Sequence, residues 1–181
     1  MNEEIIIAGF GGQGVLSMGK ILAYAGIMKQ MEVSWMPSYG PEMRGGTANV
    51  TVILSNNRIS SPILTNYDTA ILLNQQSLDK FESHVKAGGI LLYDTNGISR
   101  HPGRTDIHIY KVEAAQEAVK MGASRTFNMI VLGAYLKIRP VVDFDDVVKG
   151  LKESLPERHH HLIPMNVEAL KRGLEVVKEI G

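Results

Sequence analysis

Two rhythms of apolar residues alternate along this chain. Glu4 to Gly9 (EIIIAG) is a short continuous apolar run that breaks at glycines, the pattern of a strand buried on both faces of a parallel sheet. From Gln13 to about Lys29 the spacing lengthens. Val15, Gly19, Leu22 and Gly26 share one helical face, with Leu16, Ala23 and Ile27 beside it. The small residues Gly19, Ala23 and Gly26 would let that helix lie close to a sheet. Glu32 to Met36 predicts a second strand, and Thr47 to Ser55 (TANVTVILS) alternates and is β-branched, which predicts a third. Between them, Ser38 to Gly46 is loop chemistry, with three glycines and a proline.

Beyond a turn at Asn56-Asn57, the pattern predicts a strand over Thr69 to Asn74. A helix over Ser77 to Lys86, closed by Gly88-Gly89, and a strand over Ile90 to Tyr93 come next. Asp94 to Gly97 reads as a turn and His108 to Val112 as a strand. Helical spacing then returns over Glu113 to Met121, Asn128 to Leu136 and Phe144 to Leu155, and in a last helix beginning near Asn166. Asn128 stands where a cap for its own helix is expected. Asp143 stands as the N-cap of the next, with Asp145 and Asp146 complementing its dipole. Strands alternating with helices predict one α/β domain over residues 1–181. Its sheet is expected to be Rossmann-like and mainly parallel, with helices on both faces and an antiparallel hairpin within residues 32–55. The helices of about 143–181 are expected to form a flank or cap.

Composition narrows the chemistry. The 181 residues include no cysteine, which excludes disulfides, cysteine-ligated iron–sulfur clusters, cysteine zinc sites and thiol catalysis within this polypeptide. Lys plus Arg and Asp plus Glu are 19 each, so nothing suggests a nucleic-acid footprint. The acidic start MNEEIIIAGFGG lacks a signal peptide's cationic region, and no run approaches the roughly 18 apolar residues of a membrane span. An intracellular, cytoplasmic protein is the expectation. Charge is uneven. Residues 1–100 hold 15 charged groups and residues 101–181 hold 23, so part of the first half is expected to face another chain.

Two segments could carry chemistry. Gly9, Gly11 and Gly14 match GxGxxG between a strand and a helix, the context of a phosphate-cradling loop. Gly11, Gly12, Gln13 and Gly14 would offer backbone amides, with a side-chain amide at the helix mouth, to an anion. Glu32 sits near the spacing of a ribose-binding acid. A tight turn with no ligand is the competing account. The second segment, Trp35 to Gly46, gathers Trp35, Met36, Tyr39 and Met43 around Pro41 and Glu42. Arg44 is its only cation between Lys29 and Arg58. Such a cluster needs cover from a partner, and Arg44 could meet a phosphate, a carboxylate or that partner. A surface pair of Arg44 with Glu42 is the plainer alternative. His159, His160 and His161 cannot all face one ion in regular structure, and no catalytic triad is evident.

Gly9 to Val15, Ser38 to Gly46 and Ile59-Ser-Ser-Pro62, taken in order, resemble the gamma subunit of 2-oxoacid:ferredoxin oxidoreductases. Asp68, Gly88-Gly89, Asn128 and Asn166 to Ala169 also fall where that family has similar residues. The resemblance implies oxidative decarboxylation of a 2-oxoacid with coenzyme A to acyl-CoA, CO2 and reduced ferredoxin. It puts thiamine diphosphate on alpha and beta chains and iron–sulfur clusters on a delta subunit or other domains. For this chain it implies no catalytic residue of its own and a coenzyme A contact through Gly11 to Gly14 and Arg44. Trp35, Met36, Tyr39, Pro41, Glu42 and Met43 would then meet the alpha or beta chain. A free-standing NAD(P)-binding oxidoreductase and a purely structural assembly subunit remain the alternatives, and homodimerisation of the isolated chain stays open. No residue selects among 2-oxoglutarate, pyruvate and branched-chain substrates.

Overall fold

The computed structural model describes residues 1–38 and 46–181. A seven-stranded sheet, ordered β2-β3-β1-β4-β5-β6-β7, forms its centre. β1 (Asn2–Phe10), β4 (Tyr67–Leu72), β5 (Val85–Asp94) and β6 (His108–Val112) are parallel neighbours. β3 (Thr47–Ser55) runs antiparallel between β1 and β2 (Glu32–Ser38), which is the hairpin predicted over residues 32–55. β7 (Lys178–Glu179) closes the far edge antiparallel to β6. Five strands therefore share one direction, and β3 and β7 run against them.

The alternation within β1 divides the core. Ile5 and Ile7 point to a layer built from α1 (Val15–Met28), α3 (Ala114–Lys120), α4 (Phe127–Ile138), α5 (Phe144–Ser154) and α6 (Ile163–Val176). Ile6 and Ala8 point to the other face, covered by α2 (Gln75–Phe81) and by Ile98 and Ile107 of the segment before β6. Helices thus lie on both faces, but unequally. α2 packs mainly on β4 and β1. No helix among the described residues is long and apolar enough to cross a membrane.

Glycines set the helix spacings. An ideal Cβ on Gly19 would lie 2.7 Å from Val50 Cγ1, and one on Gly26 2.7 Å from Leu54 Cδ2, so α1 rests on β3 as its small residues predict. α5 crosses α1 at Gly150, where a Cβ would lie 2.7 Å from Ile21 O. α4 and α6 are closer still. A Cβ on Gly133 would run into Leu170 O, and one on Gly173 into Ile130 O. α5 and α6, expected to form a flank or cap, each pack along a core helix.

Several local expectations are corrected. β4 ends at Leu72, and Asn74 caps α2 by accepting a hydrogen bond from Ser77 N at 2.9 Å. α2 ends at Phe81 and a 3₁₀ turn over Glu82–His84 leads straight into β5. Gly88-Gly89 therefore closes no helix. The pair forms an irregularity inside β5, where Gly88 takes φ +75° and a Cβ on Gly89 would lie 2.8 Å from Asp68 O. The last helix starts at Ile163 with a proline in its first turn, not near Asn166. Asp143 is the N-cap residue of α5, as expected, but its side chain makes no cap bond; it pairs with Lys29 at 3.5 Å. Asp145 and Asp146 do occupy the first turn of α5.

Candidate functional site

The glycine loop leaves the carboxyl end of β1 at the fork where β1 and β4 send their chains to opposite faces. Such a switch point is where open α/β sheets place ligands. Gly12 (φ +88°) and Gly14 (φ +75°) both take left-handed backbone, which only glycine adopts cheaply. Gly14 is the N-cap of α1 and has no side chain to offer, and the first turn holds no acid. Among the described residues, no side chain caps the first amides of this fourteen-residue helix. They open on a shallow hollow of about 360 Å³ lined by Phe10, Gly11, Gly12, Gly14 to Ser17 and Ala48.

Ser17 also lines a groove of about 380 Å³ between α1, α4, α5 and α6. Lys20, Arg125, Asn128 and Asn166 supply its polar groups, and Ile21, Leu155, Leu162 and Met165 much of its apolar wall. Among the described residues neither Lys20 nor Arg125 pairs with an acid. Asn128 is not a cap. It is the second residue of α4, and a Cβ on Gly14 would collide with its amide. Its side chain therefore stands over the glycine loop, brought there by the packing of α4 against α1. Lys20 and Arg125 were missed in the sequence, because the fold of α4 onto α1 assembles the groove.

The predicted site residues divide. Gly11, Gly12 and Gly14 line the hollow. Gln13 does not face it: Phe10 N donates to Gln13 Oε1 at 2.6 Å, and Gln13 Nε2 donates to Leu73 O at 3.5 Å. Trp35 and Met36 lie in β2, as the strand predicted over Glu32 to Met36 implies, 36% and 38% exposed. Trp35 turns toward α1, its Nε1 3.2 Å from an ideal Cβ on Gly19. Alternation then puts Met36 on the face opposite α1. Tyr39, Pro41, Glu42, Met43 and Arg44 lie outside the described residues.

Glu32 is removed from the site by register. It pairs with Ser55, which pairs with Asn2 at the start of β1, whereas the loop follows Phe10 at the other end. Eight residues of strand, roughly 26 Å, separate them, so no ribose bound at the loop reaches Glu32. His159, His160 and His161 lie in a 3₁₀ turn, where the His160 Nε2 position is 2.9 Å from Leu155 O. Among the described residues no cluster of three His, Asp or Glu side chains is arranged for a metal ion.

One further carboxylate is perturbed at this end of the sheet. Asp94, the last residue of β5, is 1% exposed. Burial pushes its carboxyl up to about 6, against backbone N–H donors that include Asn96 and Ala114. Its Oδ2 has no partner among the described residues.

Comparison with known proteins places the chain in a family. Residues 4–176 match the model of the family described as pyruvate ferredoxin/flavodoxin oxidoreductase. A ketoisovalerate oxidoreductase subunit, VorA of Methanothermobacter thermautotrophicus, is 38% identical over 177 residues. That alignment covers 97% of this chain but only 36% of VorA, so the chain spans about a third of that relative's length. The gamma subunit of a keto/oxoacid ferredoxin oxidoreductase from Geobacter sulfurreducens superimposes with a TM-score of 0.85 at 28% identity, over 97% of this chain and 96% of that one. A 2-oxoglutarate:ferredoxin oxidoreductase from Magnetococcus marinus, solved with 2-oxoglutarate, coenzyme A and succinyl-CoA, has the same fold over 95% of this chain and 30% of its own. Its TM-score is 0.84 at 24% identity. With a family match across nearly its whole length and a glycine loop at the sheet fork, the chain belongs to the pyruvate ferredoxin/flavodoxin oxidoreductase family.

Proposed function

We propose that this chain is the gamma-type part of a 2-oxoacid:ferredoxin oxidoreductase and forms the coenzyme A side of its active site. The reaction cleaves the bond between the carboxylate and oxo carbons, releases CO2, joins the acyl group to the coenzyme thiol and passes the electron pair to ferredoxin. Thiamine diphosphate supplies the carbanion chemistry from alpha and beta chains. A delta chain or further domain holds the clusters, since a polypeptide without cysteine offers no thiolate for iron. This chain's part is to bind and orient.

The observation that carries the proposal is the unneutralised helix mouth. Glycines let a ligand approach the backbone, the first α1 amides have no acceptor among the described residues, and no carboxylate stands in the first turn of the helix to repel an anion. Lys20 and Arg125 in the adjoining groove suit a multiply phosphorylated ligand. Arg44, between β2 and β3 in the sequence, is assigned to the same ligand, and Trp35, Met36, Tyr39, Pro41, Glu42 and Met43 to the thiamine-bearing neighbour. Coenzyme A in the Magnetococcus enzyme is consistent with this assignment. The displacement of Glu32 disfavours a nicotinamide site. Substrate choice is left to the partner chains.

The test uses Ser17→Asp and Arg44→Ala in the assembled enzyme. An acid at the start of α1 favours the helix dipole, so Ser17→Asp should leave the chain's thermal stability equal or slightly higher while opposing a phosphate. Both variants are expected to raise the KM for coenzyme A about tenfold, each interaction contributing about 1.4 kcal/mol. An unchanged KM in both, with normal assembly, would remove coenzyme A from this chain.

A further inference from the structure

Gln13 stands at the fork where the β1–β4 ladder ends. The last parallel contacts are Ala8 with Leu72 and the bond from Leu73 N to Ala8 O at 2.9 Å. Past this point β1 turns toward α1 and β4 toward α2. Phe10 N and Leu73 O lie beyond the last paired residues, and the Gln13 side chain bonds to both of them. Its Oε1 accepts from Phe10 N at 2.6 Å, its Nε2 donates to Leu73 O at 3.5 Å, and its own backbone N donates to Phe10 O at 3.2 Å. The primary amide thus acts as one inserted peptide group, extending the ladder past the point where the backbones part.

Gly9 is matched to this arrangement. It has no left-handed φ to explain it. An ideal Cβ there would lie 2.5 Å from Gln13 Oε1 and 2.9 Å from Leu73 Cβ. The first glycine of the motif makes room for the glutamine side chain, whereas Gly12 and Gly14 serve the backbone turn. One end of the loop is tied by Gly11 N donating to Gly46 O at 3.4 Å. The Gln13 amide ties the other to β4.

We propose that Gln13 is a positioning residue: it clamps the glycine loop across the β1–β4 fork so that the α1 amides are pre-set for phosphate, and it does not itself touch the coenzyme. The phosphate half of this proposal rests on the coenzyme A reading of the loop; the clamp does not. Preorganised donors bind without paying for ordering at the moment of contact, so the clamp acts on KM more than on kcat.

Two measurements separate the clamp from the ligand. In the full chain, Gln13→Ala should speed amide exchange at Phe10 at least tenfold while Ile6 and Ile7 keep their protection. In the assembled enzyme, the same variant should raise the KM for coenzyme A with a smaller effect on kcat. Gln13→Glu keeps an acceptor for Phe10 N but sets a carboxylate oxygen against Leu73 O. Its KM relative to the wild type should therefore recover as pH is lowered and the acid regains a donor hydrogen. Unchanged Phe10 exchange in Gln13→Ala overturns the clamp, and a raised KM alongside it would make Gln13 a direct ligand contact. Faster Phe10 exchange with an unchanged KM upholds the clamp and overturns the placement of coenzyme A at this loop.

Discussion

Asp94 shows how a single residue can tie stability to pH. Its carboxyl is held up to about 6 by burial, well above the ordinary value of 3.8. The folded chain therefore binds a proton more tightly than the unfolded chain. The stability this contributes is full below about pH 4 and is lost as pH rises through about 6, amounting to about 3 kcal/mol. Asp94→Asn keeps the acceptor for Ala114 N and removes the titration. The difference in unfolding free energy between pH 4.5 and 7, measured by denaturant titration, should fall by about 2 kcal/mol in the variant relative to the wild type. Glu3, also raised by burial despite Thr69 and Arg139, remains in both proteins as common background. An identical pH slope in the two proteins would show that Asp94 ionises freely.

At the scale of elements, local pattern was most informative where both faces of a segment are defined by the sequence itself. β3 and β6 begin and end where alternation and turn residues predict. The small-residue stripe of α1 does rest on β3. Failure came where a local cue had more than one use. Gly88-Gly89 carries the composition of a helix end, yet the φ > 0 and close-approach needs of an irregular strand select the same residues. Asn128 has the residue type of a cap, but its place over Gly14 follows from helix packing that no short window contains. Glu32 has the right spacing in sequence and the wrong end of the strand in space, because β2 pairs with an antiparallel β3 instead of crossing over beside β1. The closest packing was equally invisible. Gly173→Ala would drive a methyl into Ile130 O and to 2.7 Å from Ala134 N. Backbone on both sides cannot yield, so a cost of about 3 kcal/mol is expected, a melting temperature about 6–12 °C lower. A shift of under 2 °C would mean that α6 moves easily away from α4.

The molecule as a whole is asymmetric. Among the described residues, five helices pack on one face and one on the other, and the helix packed on β2 and β3 is α1, on the first of these faces. The opposite face of β2 and β3 belongs to the charge-poor first hundred residues, and Met36 and Phe10 are exposed at 38% and 37% along this part of the sheet. The glycine loop opens at the end of the same strands. On the proposed function, one side of the chain meets another polypeptide and its rim an anionic coenzyme. Residue-resolved amide exchange on the assembled enzyme, with and without coenzyme A, tests this most directly. The amides of Gly12 to Ser17 should slow on adding coenzyme, and those of β2 and β3 should already be slower in the assembly than in the isolated chain. Unaltered exchange across Gly12 to Ser17, with coenzyme-dependent slowing confined to other chains, would contradict the account.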